Sequence, residues 1–145
     1  MTSKRKDIIN ILKEKSPLAG QLADYEIIEL AYIMPLRSYD ENTVIVKEGE
    51  PATSMMFIIS GEVNIHHNKH LVAKLTPGNI FGEAMFSDQG IRMADVVAVE
   101  PTEVLVFDLT MYELLLQQNA KVALKCKFIF EQLYKQNVTA NESFF

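Results

Sequence analysis

The stretch Pro77-Gly78-Asn79-Ile80-Phe81-Gly82-Glu83-Ala84-Met85-Phe86-Ser87-Asp88-Gln89-Gly90-Ile91-Arg92-Met93-Ala94-Asp95-Val96 departs from the pattern around it. Its neighbours are short β-rich runs, among them Thr43-Val-Ile-Val46, Met56-Phe-Ile-Ile59, Glu62-Val-Asn-Ile65, Val96-Val-Ala-Val99 and Val104-Leu-Val-Phe107. Turn residues separate them at Gly49-Glu-Pro51, Ser60-Gly61, Asn68-Lys69 and Pro77-Gly78. The quoted stretch instead predicts a turn, a short helical piece beginning near Gly82, a loop and a return to strand. A glycine at a helix start lets a ligand approach free amides, and those amides with the helix dipole favour an anion. Arg92 supplies a permanent positive fork suited to a phosphate, and Glu83 an acceptor suited to a sugar hydroxyl. Together these residue types describe a site for a phosphorylated ribose. On chemistry alone a turn and a surface charge are the better account, since a Gly-Glu pair and a downstream Arg occur in many chains.

On either side of the β-rich middle the period changes to that of helices. Ile8, Ile11 and Leu12 share a face behind Ser3, a candidate N-cap, in a helix that stops near Ser16-Pro17. Asp24 is the expected cap of a second helix, in which Ile27, Leu30, Ala31 and Met34 recur at helical spacing before Pro35. After the strands, Thr110-Met-Tyr-Glu113 has the form of a capping box. From about Lys121 to Gln136, Val122, Cys126, Ile129 and Leu133 form an apolar stripe, which Phe130 and Tyr134 widen. Short strands between terminal helices predict a sandwich or barrel with helices at both ends.

The middle stretch resembles the phosphate-binding cassette of the cyclic-nucleotide-binding domain family, the module of catabolite activator proteins and protein kinase A regulatory subunits. Val46-Lys-Glu-Gly49-Glu-Pro51, Phe57-Ile-Ile-Ser60-Gly61-Glu-Val63 and Leu75-Thr-Pro-Gly78-Asn-Ile-Phe81-Gly82-Glu83 fall in the order and spacing of that family. The resemblance covers roughly residues 18–137 and implies a mainly β fold. The expected architecture is an eight-stranded double-stranded β-helix, a jelly-roll barrel, with N-terminal helices and C-terminal hinge or lid helices. It divides the chain into an N-terminal helix over 1–17, a cyclic-nucleotide-binding domain over 18–137 and a tail over 138–145. It also implies that a cyclic phosphate meets Arg92 and the amides of Gly82, Glu83, Ala84 and Met85, with the Ala94 amide a further donor. Glu83 would take the ribose 2′-hydroxyl. The base would lie toward the C-terminal helix, where Phe128, Phe130 and Tyr134 are candidate stacking residues. Met85 and Met93 stand where the family commonly has small residues, and they narrow the expected pocket. A hydroxyl after the cassette arginine favours cGMP in some members; Met93 has none, which favours cAMP.

The whole chain suits such a module. Its 145 residues predict one core-bearing domain, 48% hydrophobic and 23% charged, without the bias of a disordered chain. A net charge of −5 disfavours unspecific phosphate-backbone binding, and no recognition helix is legible, so no DNA binding by this chain alone is expected. The lone Cys126 can form neither an internal disulfide nor a cysteine-rich metal site. With no signal-like or bilayer-spanning segment, a cytoplasmic protein without membrane contact is expected. His66, His67 and His70 read as a solvated hairpin around Asn68-Lys69 rather than as metal ligands, because adjacent strand residues face opposite sides. No nucleophile-base pair or Walker loop is present. The sequence therefore predicts a non-enzymatic receptor that binds a cyclic mononucleotide, cAMP or a relative, as ligand. It would signal through its C-terminal helix to an effector protein and dimerise through that helix. The alternative is a ligand-free relative of the same fold acting in dimerisation or protein interaction.

Overall fold

The computed structural model describes residues 3–87 and 90–139. Most of the expected tail, residues 140–145, lies outside the described residues. Two helices open the chain, α1 (Ser3–Glu14) and α2 (Asp24–Ile33). Eight strands follow: β1 (Leu36–Tyr39), β2 (Val44–Val46), β3 (Ser54–Ser60), β4 (Val63–His67), β5 (His70–Leu75), β6 (Ile80–Phe81), β7 (Asp95–Ala98) and β8 (Thr102–Asp108). A single 3-10 turn (Glu83–Phe86) interrupts them after β6, and α3 (Leu109–Gln118) and α4 (Ala120–Thr139) come last. The strands form two antiparallel four-stranded sheets in the orders β1-β8-β3-β6 and β2-β7-β4-β5, the expected jelly roll with flanking helices.

Side-chain alternation in β3 and β8 organises the interior into two cores. Met56, Ile58, Val104 and Val106 point between the sheets, where they meet Val46, Val63, Ile65, Phe81, Ala94 and Val96. The intervening Met55, Phe57, Ile59, Leu105 and Phe107 point the other way, into a second core shared with all four helices. Strands covered on both faces need apolar side chains at every position, which is why Met55 to Ile59 and Val104 to Phe107 are unbroken apolar runs. In β4 only Val63 and Ile65 are buried, and the alternation is visible.

The helix ends differ from those expected. Ser3 is already helical, and α2 starts after Ala23, whose N–H donates to the Glu26 carboxylate at 2.9 Å. The α3 cap is Asp108, the last residue of β8: its carboxylate accepts from the Met111 N–H at 2.7 Å, so the Thr110–Glu113 box goes unused. A strand that runs directly into a helix puts the cap at their junction, two residues before the sequence motif.

The C-terminal stripe also requires a correction. Val122, Cys126 and Ile129 are buried in the chain's own helix-side core, with Leu133 packed against it, and are not available to a second copy. Phe130 belongs there too, edge-on to Phe57 and Phe107 and nearly parallel to Phe86 at 6.0 Å, which removes it as a base-stacking residue. Among the described residues, the large apolar side chains α4 leaves in solvent are Leu124 (54% exposed) and Phe128 (63%), one turn apart. Burial pushes the Cys126 thiol up to about 12, so it is an inert core residue.

Glu26 ties the two ends of the chain together. It is buried in α2 and accepts from Lys125 Nζ of α4 at 3.1 and 3.2 Å. The Ala23 N–H and Lys125 hold its carboxyl below the usual carboxylate range. The folded-state value is thus lower than the unfolded one, so the contribution to stability is complete above the ordinary carboxylate range and is lost as pH falls through the depressed value. In urea denaturation from about pH 7 down to about pH 3, Glu26→Gln is expected to be less stable at neutral pH by about 1–3 kcal/mol. It should also lose stability less steeply than wild type below about pH 5.

Candidate functional site

Strand β6 ends at Phe81, and the chain turns at Gly82 in the left-handed region, φ 93° and ψ 14°, before the 3-10 turn. A side chain at Gly82 is excluded by space as well as by backbone angle. A Cβ there would lie 2.6 Å from the Ser54 carbonyl oxygen and 2.7 Å from Nη1 of Arg92. Arg92 fills this gap: Nη1 donates to the Ser54 carbonyl at 2.8 Å and Nη2 to Ser54 Oγ at 3.0 Å. The guanidinium thus bridges the cassette to the start of β3.

The Arg92 main chain is held as firmly. Gly49 N–H donates to the Arg92 carbonyl at 2.9 Å, Arg92 N–H donates to the Glu50 carbonyl at 2.8 Å, and Ala52 N–H reaches Gly90 at 2.7 Å. Segment 49–52 therefore runs antiparallel to 90–92. Arg92 is only 8% exposed; burial lowers its affinity for its proton, and the carboxylates of Glu50 and then Glu83 oppose that shift. A guanidinium keeps its charge through such a change, so a positive charge is buried beside the barrel.

The residues expected at the site divide into three groups. Gly82, Ala84, Arg92, Met93 and Ala94 surround one cavity with Val46, Phe81 and Val96. Its volume is 10 Å³, about the room one water needs. Glu83, 1% exposed, instead lines a separate cavity of 400 Å³ with Lys15, Ser16, Gly78, Ile80 and Leu133. Met85 joins neither cavity: its side chain lies in the helix-side core, and its N–H donates to the Gly82 carbonyl at 3.0 Å within the 3-10 turn. In this conformation the Met85 amide is taken up within the turn, and the Met85 side chain is not on the wall of the Arg92 cavity. The helical piece is a single turn, so its dipole adds little, and attraction for an anion rests on Arg92. The residues can supply a cyclic phosphate with a buried cation and small-residue walls, but the cavity must open to admit it.

The family description "Cyclic nucleotide-binding domain" matches residues 36–119, more than half of the chain. The chain belongs to the cyclic nucleotide-binding domain family. Among curated relatives, the "Cyclic AMP receptor protein" of Thermus thermophilus is 34% identical over 96 residues, which are 62% of this chain and 44% of that protein. A cGMP-dependent protein kinase of Caenorhabditis elegans is 26% identical over 113 residues, 78% of this chain and 14% of the kinase. This cyclic nucleotide-binding domain thus spans less than half the length of either relative. A solved cyclic nucleotide-binding domain from Methylobacillus flagellatus shares the fold with a TM-score of 0.76 and 26% identity, over 94% of this chain and 79% of that one.

Sequence reasoning missed Ser54 and Glu50. Ser54 is the direct partner of the cassette arginine, yet nothing marks a serine at a strand start as an arginine anchor. Glu50 stood only within a turn and a family-like motif, with no role at the site, although its carbonyl and its charge both act on Arg92. The three histidines do lie on the expected hairpin, whose tip residues Asn68 and Lys69 both have left-handed backbones. Among the described residues no cluster of metal-ligating side chains is found.

The two methionines should separate cleanly in urea unfolding. Met85→Ala removes a packed core side chain and is expected to cost about 2–5 kcal/mol. Met93→Ser acts on a half-buried side chain at the cavity wall and should stay within about 1 kcal/mol of wild type.

Proposed function

We propose that this domain is a non-enzymatic receptor for a cyclic mononucleotide, cAMP in preference to cGMP, and that it signals occupancy through α3 and α4. The observation that carries this reading is Arg92: a buried charge in the family-matched region, on the wall of a cavity otherwise bounded by Gly82, small residues and apolar side chains. Arg92 would bind the phosphate together with amides of Gly82, Glu83, Ala84 and Ala94, and Met93 would border it. For Glu83 to reach the ribose it must turn from the cavity it now lines. Relatives named for cAMP and for cGMP both occur, so the preference for cAMP rests on Met93, which offers no hydroxyl to guanine.

Opening the cavity requires the 3-10 turn to move. Phe86 of that turn packs on Phe130 of α4 and edge-on to Tyr112 of α3, so such a shift would be felt by both helices. Residues 18–137 are the proposed binding unit, in a cytoplasmic setting and acting on an effector protein, without DNA binding by this chain alone. No helix among the described residues is long and apolar enough to cross a membrane. A ligand-free role in assembly is the second reading, and the 10 Å³ cavity with Arg92 already satisfied by Ser54 favours it.

Calorimetry with cAMP and cGMP separates the two. The receptor reading expects binding, tighter for cAMP, and a loss of roughly two to three decades of affinity in Arg92→Ala. Heat-free titrations of folded protein with both nucleotides would establish the assembly reading instead.

Dimerisation through α4 is proposed by way of Leu124 and Phe128, the exposed pair, in a two-fold contact. Sedimentation should show a dimer that Phe128→Glu converts to monomer without loss of fold. A monomer for the wild type at high concentration removes this part of the proposal.

A further inference from the structure

The backbone ladder between β4 and β7 ends at the pair His66↔Asp95. Two residues beyond it lies Met93, inside the cassette, and a side chain continues the ladder there. Nδ1 of His67 lies 3.1 Å from the Met93 carbonyl oxygen and 2.6 Å from Oε1 of Glu48. An ionised carboxylate and a carbonyl only accept, so their shared partner must carry the hydrogen: Nδ1 is the protonated nitrogen, and Glu48 fixes that tautomer. Glu48 is itself held, its N–H donating to Oδ1 of Asp95 at 2.7 Å. The loop after β2, the end of β4 and the start of β7 thus converge on one carbonyl group.

Which carbonyl it is gives the arrangement its meaning. The C=O of Met93 and the N–H of Ala94 belong to one planar peptide and point in opposite directions. Holding that carbonyl toward the β4 hairpin turns the Ala94 N–H away from it, toward the β2 side, where Val46, Arg92 and Ala94 border the small cavity. On the far side of Arg92, the bonds to Gly49 and Glu50 hold the preceding peptides.

We propose that His67, braced by Glu48, is a positioning residue that orients the Met93–Ala94 peptide and so presents the Ala94 amide beside Arg92 for an anionic ligand. The proposal rests on the cyclic-nucleotide reading above for the identity of that ligand, but not for the orienting role. The required chemistry is one N–H donor at the Nδ1 position. Asparagine places its amide nitrogen close to that position, glutamine places it further out, and phenylalanine keeps the ring without a donor.

The test compares His67→Asn, His67→Gln and His67→Phe in two measurements. In the protein without nucleotide, the backbone amide resonances of Met93 and Ala94 should shift or broaden in the Phe and Gln variants and stay close to wild type in the Asn variant. In calorimetry, Phe and Gln should weaken cAMP and cGMP alike by roughly three- to tenfold, because the phosphate is common to both, and Asn should remain within about twofold. An Asn variant as impaired as Phe would overturn the positioning role. So would a Phe variant with wild-type amide resonances, or a loss confined to one nucleotide. If wild-type protein binds neither nucleotide, the receptor reading falls. The amide resonances alone then decide the positioning role: it stands if Asn preserves them and Phe does not, and it falls if the two behave alike.

Discussion

A buried guanidinium is costly unless its charge and its donors are answered, and in this domain the answer to Arg92 shapes its surroundings. Ser54 supplies two neutral acceptor atoms, and the carboxylates of Glu50 and Glu83 supply opposing charge. Meeting these demands brings the start of β3, the 49–52 segment and the turn after β6 to one point. Gly82 is the price, because no other residue leaves room for Ser54 and Arg92 to come together. The contacts also leave the charge stable without a ligand. An anion entering the cavity must compete with a serine and two carboxylates rather than fill an unmet need.

The division into two cores gives that competition a reach beyond the cassette. Phe81 and Ala94 belong to the interior between the sheets, whereas Met85 belongs to the helix-side core with Phe130 and Cys126. The 81–94 segment is therefore anchored in both, and the 3-10 turn is its portion on the helix side. Close-packed interiors yield by discrete rearrangement, not by gradual deformation, so displacement of this turn has to be taken up by α4 and by the N-terminal helices in the same core. The ion pair of Glu26 with Lys125 links those helices directly.

Much of the fold was legible because its signals are local. Glycines at turns, short β-rich runs and the helical spacing at both ends each act over a few residues, and together they led to a sandwich or barrel with flanking helices, which the resemblance to the cyclic-nucleotide-binding family narrowed to the jelly roll. The unbroken runs in β3 and β8 showed strands but not which side chains face which core, since alternation disappears when both faces are covered. The C-terminal stripe was visible as apolar surface, yet a sequence does not distinguish burial against its own domain from burial against a copy; only the tertiary packing placed Leu124 and Phe128 outside. At the site, residue types were readable and directions were not. Glu83 and Arg92 are nine positions apart and interact electrostatically, but they border different cavities. Ser54 escaped notice, and His67 was read only as part of a solvated hairpin, because their contacts with Arg92 and with the Met93 carbonyl arise from register, which no local motif encodes.

The small volume beside Arg92 also bears on time. A cavity with room for about one water cannot take up a nucleotide by encounter alone, however fast diffusion brings it. Under the proposed reading entry has to wait for the 3-10 turn to move, so the opening rate places a ceiling on association when the closed form dominates. Raising the concentration of messenger would then speed the response only up to that ceiling. A domain built this way averages over brief pulses of its signal and answers to those that outlast its own opening.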